Sequence, residues 1–169
     1  MSTDYEEYYK SQGPDALGPP SRFVTDFFHA LGDKAHLVLD VGCGQGRDAL
    51  FIARLGHKVH GIDISPTGIA QMLQAAQAES LAITAEVASI DNWQADQKYD
   101  VILLDRILHM LPRDTRLSAM ANVMNALATG GQVVVMDEAP NLPEVIAAAQ
   151  IARPGVSAVR QVKGNAILG

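Results

Sequence analysis

Apolar positions along this chain switch repeatedly between two spacings. The stretches "HLVLDV" (36–41), "KVHGIDI" (58–64), "ITAEVAS" (83–89), "YDVILLD" (99–105) and "QVVVMDE" (132–138) are short, largely apolar runs of strand length. Between them the apolar residues fall at helical spacing. "GRDALFIARLG" (46–56) predicts a helix stopped by Gly56, and Pro66 opens another that runs to Glu79. Pro112 opens a third through Ala128, closed by Gly130 and Gly131. Ser21 predicts the cap of an earlier helix through Leu31, with Phe23, Phe27, Phe28 and Leu31 on one face. "LPEVIAAAQIA" (142–152) predicts a late helix, and residues 156–169 a final hairpin turning at Lys163-Gly164-Asn165. Residues 1–20, with "YEEYYK" and "GPDALGPP", are dense in Pro and Gly and predict a turn-rich arm outside the main fold.

Five strands separated by helices predict an α/β, Rossmann-like fold. Its doubly wound, mostly parallel sheet carries helices on both faces and a short C-terminal antiparallel hairpin. The chain divides into an arm (1–20) and a single domain (21–169), with ligands expected at the loops after the strand C-termini. Charge and cysteine content narrow the partners. A net charge of −6 without any Lys/Arg cluster argues against nucleic acid and favours a small-molecule substrate. The longest apolar runs are too short for a membrane span, and the acidic N-terminus has no signal-peptide core. The lone Cys43 excludes an internal disulfide and fits a reducing cytoplasm.

The chemistry concentrates at "VLDVGCGQG" (38–46), where a strand runs into glycines at 42, 44 and 46. A dinucleotide loop wants its third glycine at 47, which is Arg47. Asp40 just before the loop would repel a pyrophosphate and suits a ligand with positive groups. S-adenosylmethionine has an ammonium and a sulfonium, and its carboxylate can reach the N–H groups of the loop and helix start. On these residues, and on "GQGRDALFIARLGHKVHGIDIS", the chain resembles the class I S-adenosylmethionine-dependent methyltransferases. It is most similar to small bacterial members of the tellurite-resistance and thiopurine type, over about residues 21–138.

The resemblance implies a set of cofactor contacts: Asp40, Gly42, Cys43, Gly44, Gly46 and Arg47 around the loop. Asp63, at the end of the second strand, would accept from the two ribose hydroxyls, although with Ser65-Pro66 following it could instead be a helix-capping Asp. Ile64 and Ile90 would pack the adenine, Asp91 would take its amino group, and Leu104 would offer a backbone carbonyl to the methionine ammonium. In "DRILHML" (105–111), Arg106 is placed to pair with an anionic substrate and His109 to act as a general base. Relatives often carry small or polar residues at 104–106, so this wall is particular to the chain. The arm would fold over the cofactor as a lid, with Tyr5, Tyr8 and Tyr9 as an aromatic cluster and Tyr9 bordering the site.

The expected reaction is methyl transfer from S-adenosyl-L-methionine to a small acceptor, releasing S-adenosyl-L-homocysteine. The alternative is a non-catalytic S-adenosylmethionine-binding or regulatory subunit. A nicotinamide dehydrogenase would need the missing glycine and a Tyr/Lys or His pair. His29, His36, His57 and His60 have no metal spacing, so no metal is expected. Residues 139–155 hold one helical pattern where the family carries a longer insertion. Substrate recognition then falls to the arm and a "DRILHML" helix, and the open pocket makes a homodimer one way to cover it.

Overall fold

A computed structural model describes residues 4–169. They fall into two compact units divided in sequence between Ala88 and Ser89. The first holds α1 (Tyr5–Gln12), α2 (Arg22–Ala30), β1 (Leu37–Val41), α3 (Arg47–Arg54), β2 (Lys58–Asp63), α4 (Pro66–Ala78) and β3 (Ile83–Val87). Its strands are parallel: Val38 pairs with Val59, and Val59 with Ile83. β1 is buried from its second residue on, as a parallel strand with a continuous apolar run should be. α2 starts as expected, with Ser21 Oγ accepting from the Val24 N–H at 3.3 Å. Its stripe is rotated, however, so that Val24, Phe27 and Phe28 are buried while Phe23 and Leu31 are half-buried. α4 has its expected Pro66 at the first turn, and the structure adds a Ser65 Oγ cap on the Gly68 N–H at 2.9 Å.

The arm contains an element that its Pro/Gly content hides. Residues 5–12 are helical, capped by Asp4, whose side chain accepts from the Glu7 N–H at 3.3 Å. Gly13 ends the helix at φ 72°, a left-handed conformation that glycine adopts without the cost a side chain would add. Only residues 13–20, where the Pro and Gly actually lie, are turn-like, so the punctuation was local to the second half of the arm.

The second unit holds β4 (Tyr99–Asp105), a single 3₁₀ turn (Leu108–Met110), α5 (Arg113–Ala126), β5 (Leu127–Met136), α6 (Leu142–Ala152), β6 (Ala158–Val162) and β7 (Asn165–Leu168). β4 and β5 are parallel, with Ile102 opposite Val133 and Leu104 opposite Val135, all four fully buried. Each large aliphatic side chain buried in this way contributes roughly 1.5–3 kcal/mol. The hairpin forms as expected, and its last strand is better supported than its length suggests. β7 pairs antiparallel with β5 on one side and with β6 on the other.

Two boundaries differ from expectation. β5 begins at Leu127, so α5 stops at Ala126 and the two glycines lie inside a strand. The cause is pairing of Leu127 with Tyr99, fixed by Arg153, whose guanidinium donates to the Leu127 and Ala128 carbonyls at 2.8 and 3.1 Å. A Cβ on Gly131 would stand 2.9 Å from the Asp100 carbonyl oxygen, which explains a glycine there without any helix stop. The "DRILHML" segment is not a helix either. Arg106 adopts φ 58°, and its N–H donates to the Met136 carbonyl at 2.8 Å, so the chain turns sharply after β4.

Candidate cofactor site

β1 ends in a loop whose shape is set by its glycines. Gly42, Gly44 and Gly46 have φ of 73°, 50° and 85°, so alternate residues are left-handed and the intervening ones are not. The Gly42 and Cys43 N–H groups donate to the Ile62 carbonyl at 2.7 and 3.1 Å, which ties the loop to the end of β2. Gly46 then starts α3 without a side-chain cap, and its backbone turns the chain from the loop into the helix start, the kind of place where anions bind. A Cβ on Gly46 would collide with Met72 Cγ of α4, so this glycine is required by packing as well as by its backbone angle.

Asp63 braces the same loop. Its Oδ2 accepts from the Gly44 N–H and its Oδ1 from the Ser65 N–H, each at 2.8 Å. Burial raises its pKa, partly opposed by those backbone donors. Each oxygen has a second lone pair, so the carboxylate can brace the loop and still accept from a ligand. Ile64 beside it is 70% exposed, an apolar side chain left in solvent just past the end of β2 and not a core residue. Asp40 and Cys43 are buried, and burial, then the charges of Asp40 and Asp63, pushes the thiol well above its ordinary value. The thiol is therefore protonated and fills space. Arg47 is turned to Asp48, with Nη2 2.8 Å from Oδ2.

α1 lies on this loop and on α4. Tyr9 is buried, and a Cβ on Gly44 would collide with its hydroxyl, while one on Gly68 would meet its ring at 3.0 Å. Burial, then the charge of Asp63, raises the phenol's pKa, so Tyr9 is a proton donor and not a base at neutral pH. Glu6 accepts from Ser65 Oγ at 2.5 Å, Thr67 Oγ1 at 2.6 Å and the Thr67 N–H at 3.2 Å, capping α4 from 59 to 61 residues away. The Ser65 and Thr67 hydrogen bonds hold the Glu6 carboxyl down at about 2. Gln45 completes the clasp: its amide donates to the Gly13 carbonyl at 2.5 Å and to Gln71 Oε1 at 2.6 Å, and its Oε1 accepts from the Ala16 N–H at 3.1 Å. Sequence reasoning missed Glu6, Gln45 and Gln71. The only signal was an amide inside a glycine loop, where a nonpolar residue would serve the turn equally well.

In the second unit, Ile90 is buried and Asp91 exposed on the loop that precedes β4. Leu104 is fully buried, so only its backbone can reach a ligand. Arg106 is exposed, and His109 is half-buried within the 3₁₀ turn. The His109 Nδ1 is buried without a hydrogen-bond partner among the described residues. Arg116 holds this turn, donating from Nε to the Leu108 carbonyl at 3.1 Å.

The arrangement in the first unit fits S-adenosylmethionine. The glycine cradle, the uncapped start of α3 and a strand-end carboxylate with spare lone pairs match its carboxylate and ribose. Comparison with known proteins points the same way. A model of the methyltransferase domain matches residues 38–131. The chain is 31% identical to the 2-heptyl-1-hydroxyquinolin-4(1H)-one methyltransferase of Mycobacteroides abscessus, over 83% of this chain and 67% of that protein. It is 29% identical to TehB of Haemophilus influenzae, a probable S-adenosyl-L-methionine-dependent methyltransferase, over 59% of this chain and 35% of that one. The chain thus spans about two thirds of the first relative and about a third of the second. The solved TehB-like methyltransferase from Corynebacterium glutamicum superposes with a TM-score of 0.76 at 21% identity, covering 98% of this chain and 94% of that one. At that identity the likeness speaks for the fold, which is the expected Rossmann-like α/β architecture.

Proposed function

This chain belongs to the class I S-adenosylmethionine-dependent methyltransferases of the TehB type, and on that premise we propose that it methylates a small-molecule acceptor by in-line displacement. The observation that carries the reading is the glycine loop braced by Asp63, beside an α3 start that no side chain caps. Bound S-adenosylmethionine supplies a methyl group on a sulfonium leaving group. Asp63 takes the ribose hydroxyls, and the loop and first-turn N–H groups take the methionine carboxylate. Ile64 and Ile90 flank the adenine, Asp91 accepts from its amino group, and the Leu104 carbonyl accepts from the ammonium. Asp40, Gly42, Cys43 and Gly46 shape the cradle, and Arg47 orients Asp48.

The arm of residues 1–20 acts as the lid of a domain spanning 21–169. It keeps water from the cradle through Tyr9, whose raised pKa makes it a hydrogen-bond donor that positions and does not deprotonate. Orientation of nucleophile and methyl carbon can lower the barrier by roughly 7–11 kcal/mol, so the protein needs little further chemistry. A thiolate or an oxyanion needs no base. A hydroxyl does, and His109, half-buried in the turn after β4, is the base assigned to it. Arg106, exposed at the turn, pairs with an anionic acceptor. The lone, buried Cys43 agrees with a reducing cytoplasm.

The test is S-adenosylhomocysteine release from S-adenosylmethionine across thiols, selenium and tellurium oxyanions, phenols, amines and a hydroxyquinolone of the kind named for the mycobacterial relative. Turnover with at least one class is expected. Binding of S-adenosylmethionine with silence across every class would overturn the catalytic reading in favour of a binding protein.

A further inference from the structure

The loop that carries Ile90 and Asp91 is held from outside by a side chain that neither sequence motif includes. Asn122, on α5, donates from Nδ2 to the Ile90 carbonyl at 2.9 Å and to the Asp91 carbonyl at 3.4 Å. Within the loop, the Asn92 and Trp93 N–H groups both donate to the Ser89 carbonyl, at 3.2 and 2.9 Å. Trp93 is buried and packs against Tyr99, with ring centroids 6.3 Å apart, which anchors the far end of the segment. Between these two anchors, the carbonyls of residues 90 and 91 turn toward α5. The Ile90 side chain is buried, and Asp91 is left exposed.

An exposed carboxylate discriminates between ligands only if its position is fixed before the ligand arrives. A mobile Asp91 could rotate away from a base edge that offers no donor, whereas a fixed one would be left facing an acceptor. From this we infer that Asn122 is a positioning residue that sets base specificity, by pinning the backbone of the loop from which Asp91 reads the 6-amino group of adenine. The inference rests on the assignment of Asp91 to adenine. It adds that the discrimination is held in place by α5 and not by the loop alone. The cleft beside it, lined by Trp93, Gln94, Lys98, Asn122 and Asn125, is not needed for this role. Lys98 there donates to the Asn125 carbonyl at the end of α5.

The experiment measures the affinity of S-adenosylhomocysteine and of its hypoxanthine analogue, in which a carbonyl oxygen replaces the 6-amino group. The full chain, Asp91→Asn and the isosteric Asn122→Asp are compared, with amide hydrogen exchange of residues 89–93 as a second readout. The expected result is a clear preference for adenine in the parent protein, lost in Asp91→Asn. In Asn122→Asp the preference should be narrowed by about 3- to 10-fold, the scale of one hydrogen bond, with faster exchange at Asn92 and Trp93. An unchanged preference or unchanged exchange in Asn122→Asp, alongside a lost preference in Asp91→Asn, overturns the positioning role and leaves the adenine assignment standing. An unchanged preference in Asp91→Asn overturns the adenine assignment, and the inference with it.

Discussion

The glycine loop after β1 and the turn after β4 are both sharp departures from a parallel strand, yet they are built in opposite ways. The first is braced on every side. Ile62, Asp63, Met72, Tyr9 and, through Gln45, the arm all touch it, and its left-handed positions are glycines. The second places a non-glycine, Arg106, at φ 58°, leaves that side chain exposed, and buries a His109 nitrogen without a hydrogen-bond partner among the described residues. A loop whose shape is fixed in advance by its surroundings suits an invariant ligand. A turn that exposes a cation keeps polar capacity for a variable one. On the proposed reading, the braced loop holds the methyl donor and the turn meets the acceptor.

The comparison is broken most severely by Gly46→Ala. The new Cβ collides with Met72 Cγ, lies 2.9 Å from Met72 Sδ and must adopt φ 85°. Overpacking of this kind costs about 1–3 kcal/mol. A matching fall in denaturant stability, with loss of S-adenosylhomocysteine binding, is expected; a variant as stable as the parent would show that the loop is less tightly packed than described. Glu6→Ala comes next. It removes three acceptor contacts from the start of α4, so residues 4–20 should be cleaved several-fold faster in limited proteolysis while the fold stays intact. An equal cleavage rate would mean that Tyr9 and Gln45 hold the arm without Glu6.

A smaller effect comes from outside both loops. His57 is buried and its Nδ1 accepts from the His36 N–H at 3.2 Å, and burial, then the neighbouring His36, lowers its pKa. The unfolded chain therefore takes up a proton near pH 6.5 that the folded chain refuses. Stability from this group is full above about pH 6.5 and falls as pH drops toward the lowered folded value. Urea midpoints at pH 7.5 and 5.5 should differ less in His57→Gln than in the parent, and equal differences would remove His57 from the account. The smallest effect expected on the braced loop is that of His109→Gln. S-adenosylhomocysteine affinity should stay within about 2-fold of the parent, while turnover of a hydroxyl acceptor falls by roughly 100-fold or more. A weakened affinity would place His109 on the donor side instead.

The braced loop was legible because its constraints are local: a strand, alternating glycines and a helix start within nine residues, then an acid at the next strand end. α1 was not, because its stability comes from Glu6 and Tyr9 reaching residues about 60 positions away, which no window along the sequence contains. The turn after β4 misled for a related reason. Ile107, Leu108 and Leu111 are spaced as on a helix, but the Arg106 N–H is taken by the Met136 carbonyl of β5 and the helix never starts there. Gly130 and Gly131 were read as punctuation when Arg153 and Tyr99 make that stretch a strand. In each case a long-range partner overrode a local signal.

Asp63, which braces the glycine loop, is the acid proposed to take the ribose. Calorimetric titration of S-adenosylhomocysteine into the parent protein and Asp63→Ala, with NADH as the competing ligand class, tests it most directly. The parent should bind S-adenosylhomocysteine and not NADH, and Asp63→Ala should lose about 1–3 kcal/mol of binding, the scale of hydrogen bonds to a charged group. Undiminished affinity in Asp63→Ala, or a parent that binds NADH alone, would contradict it.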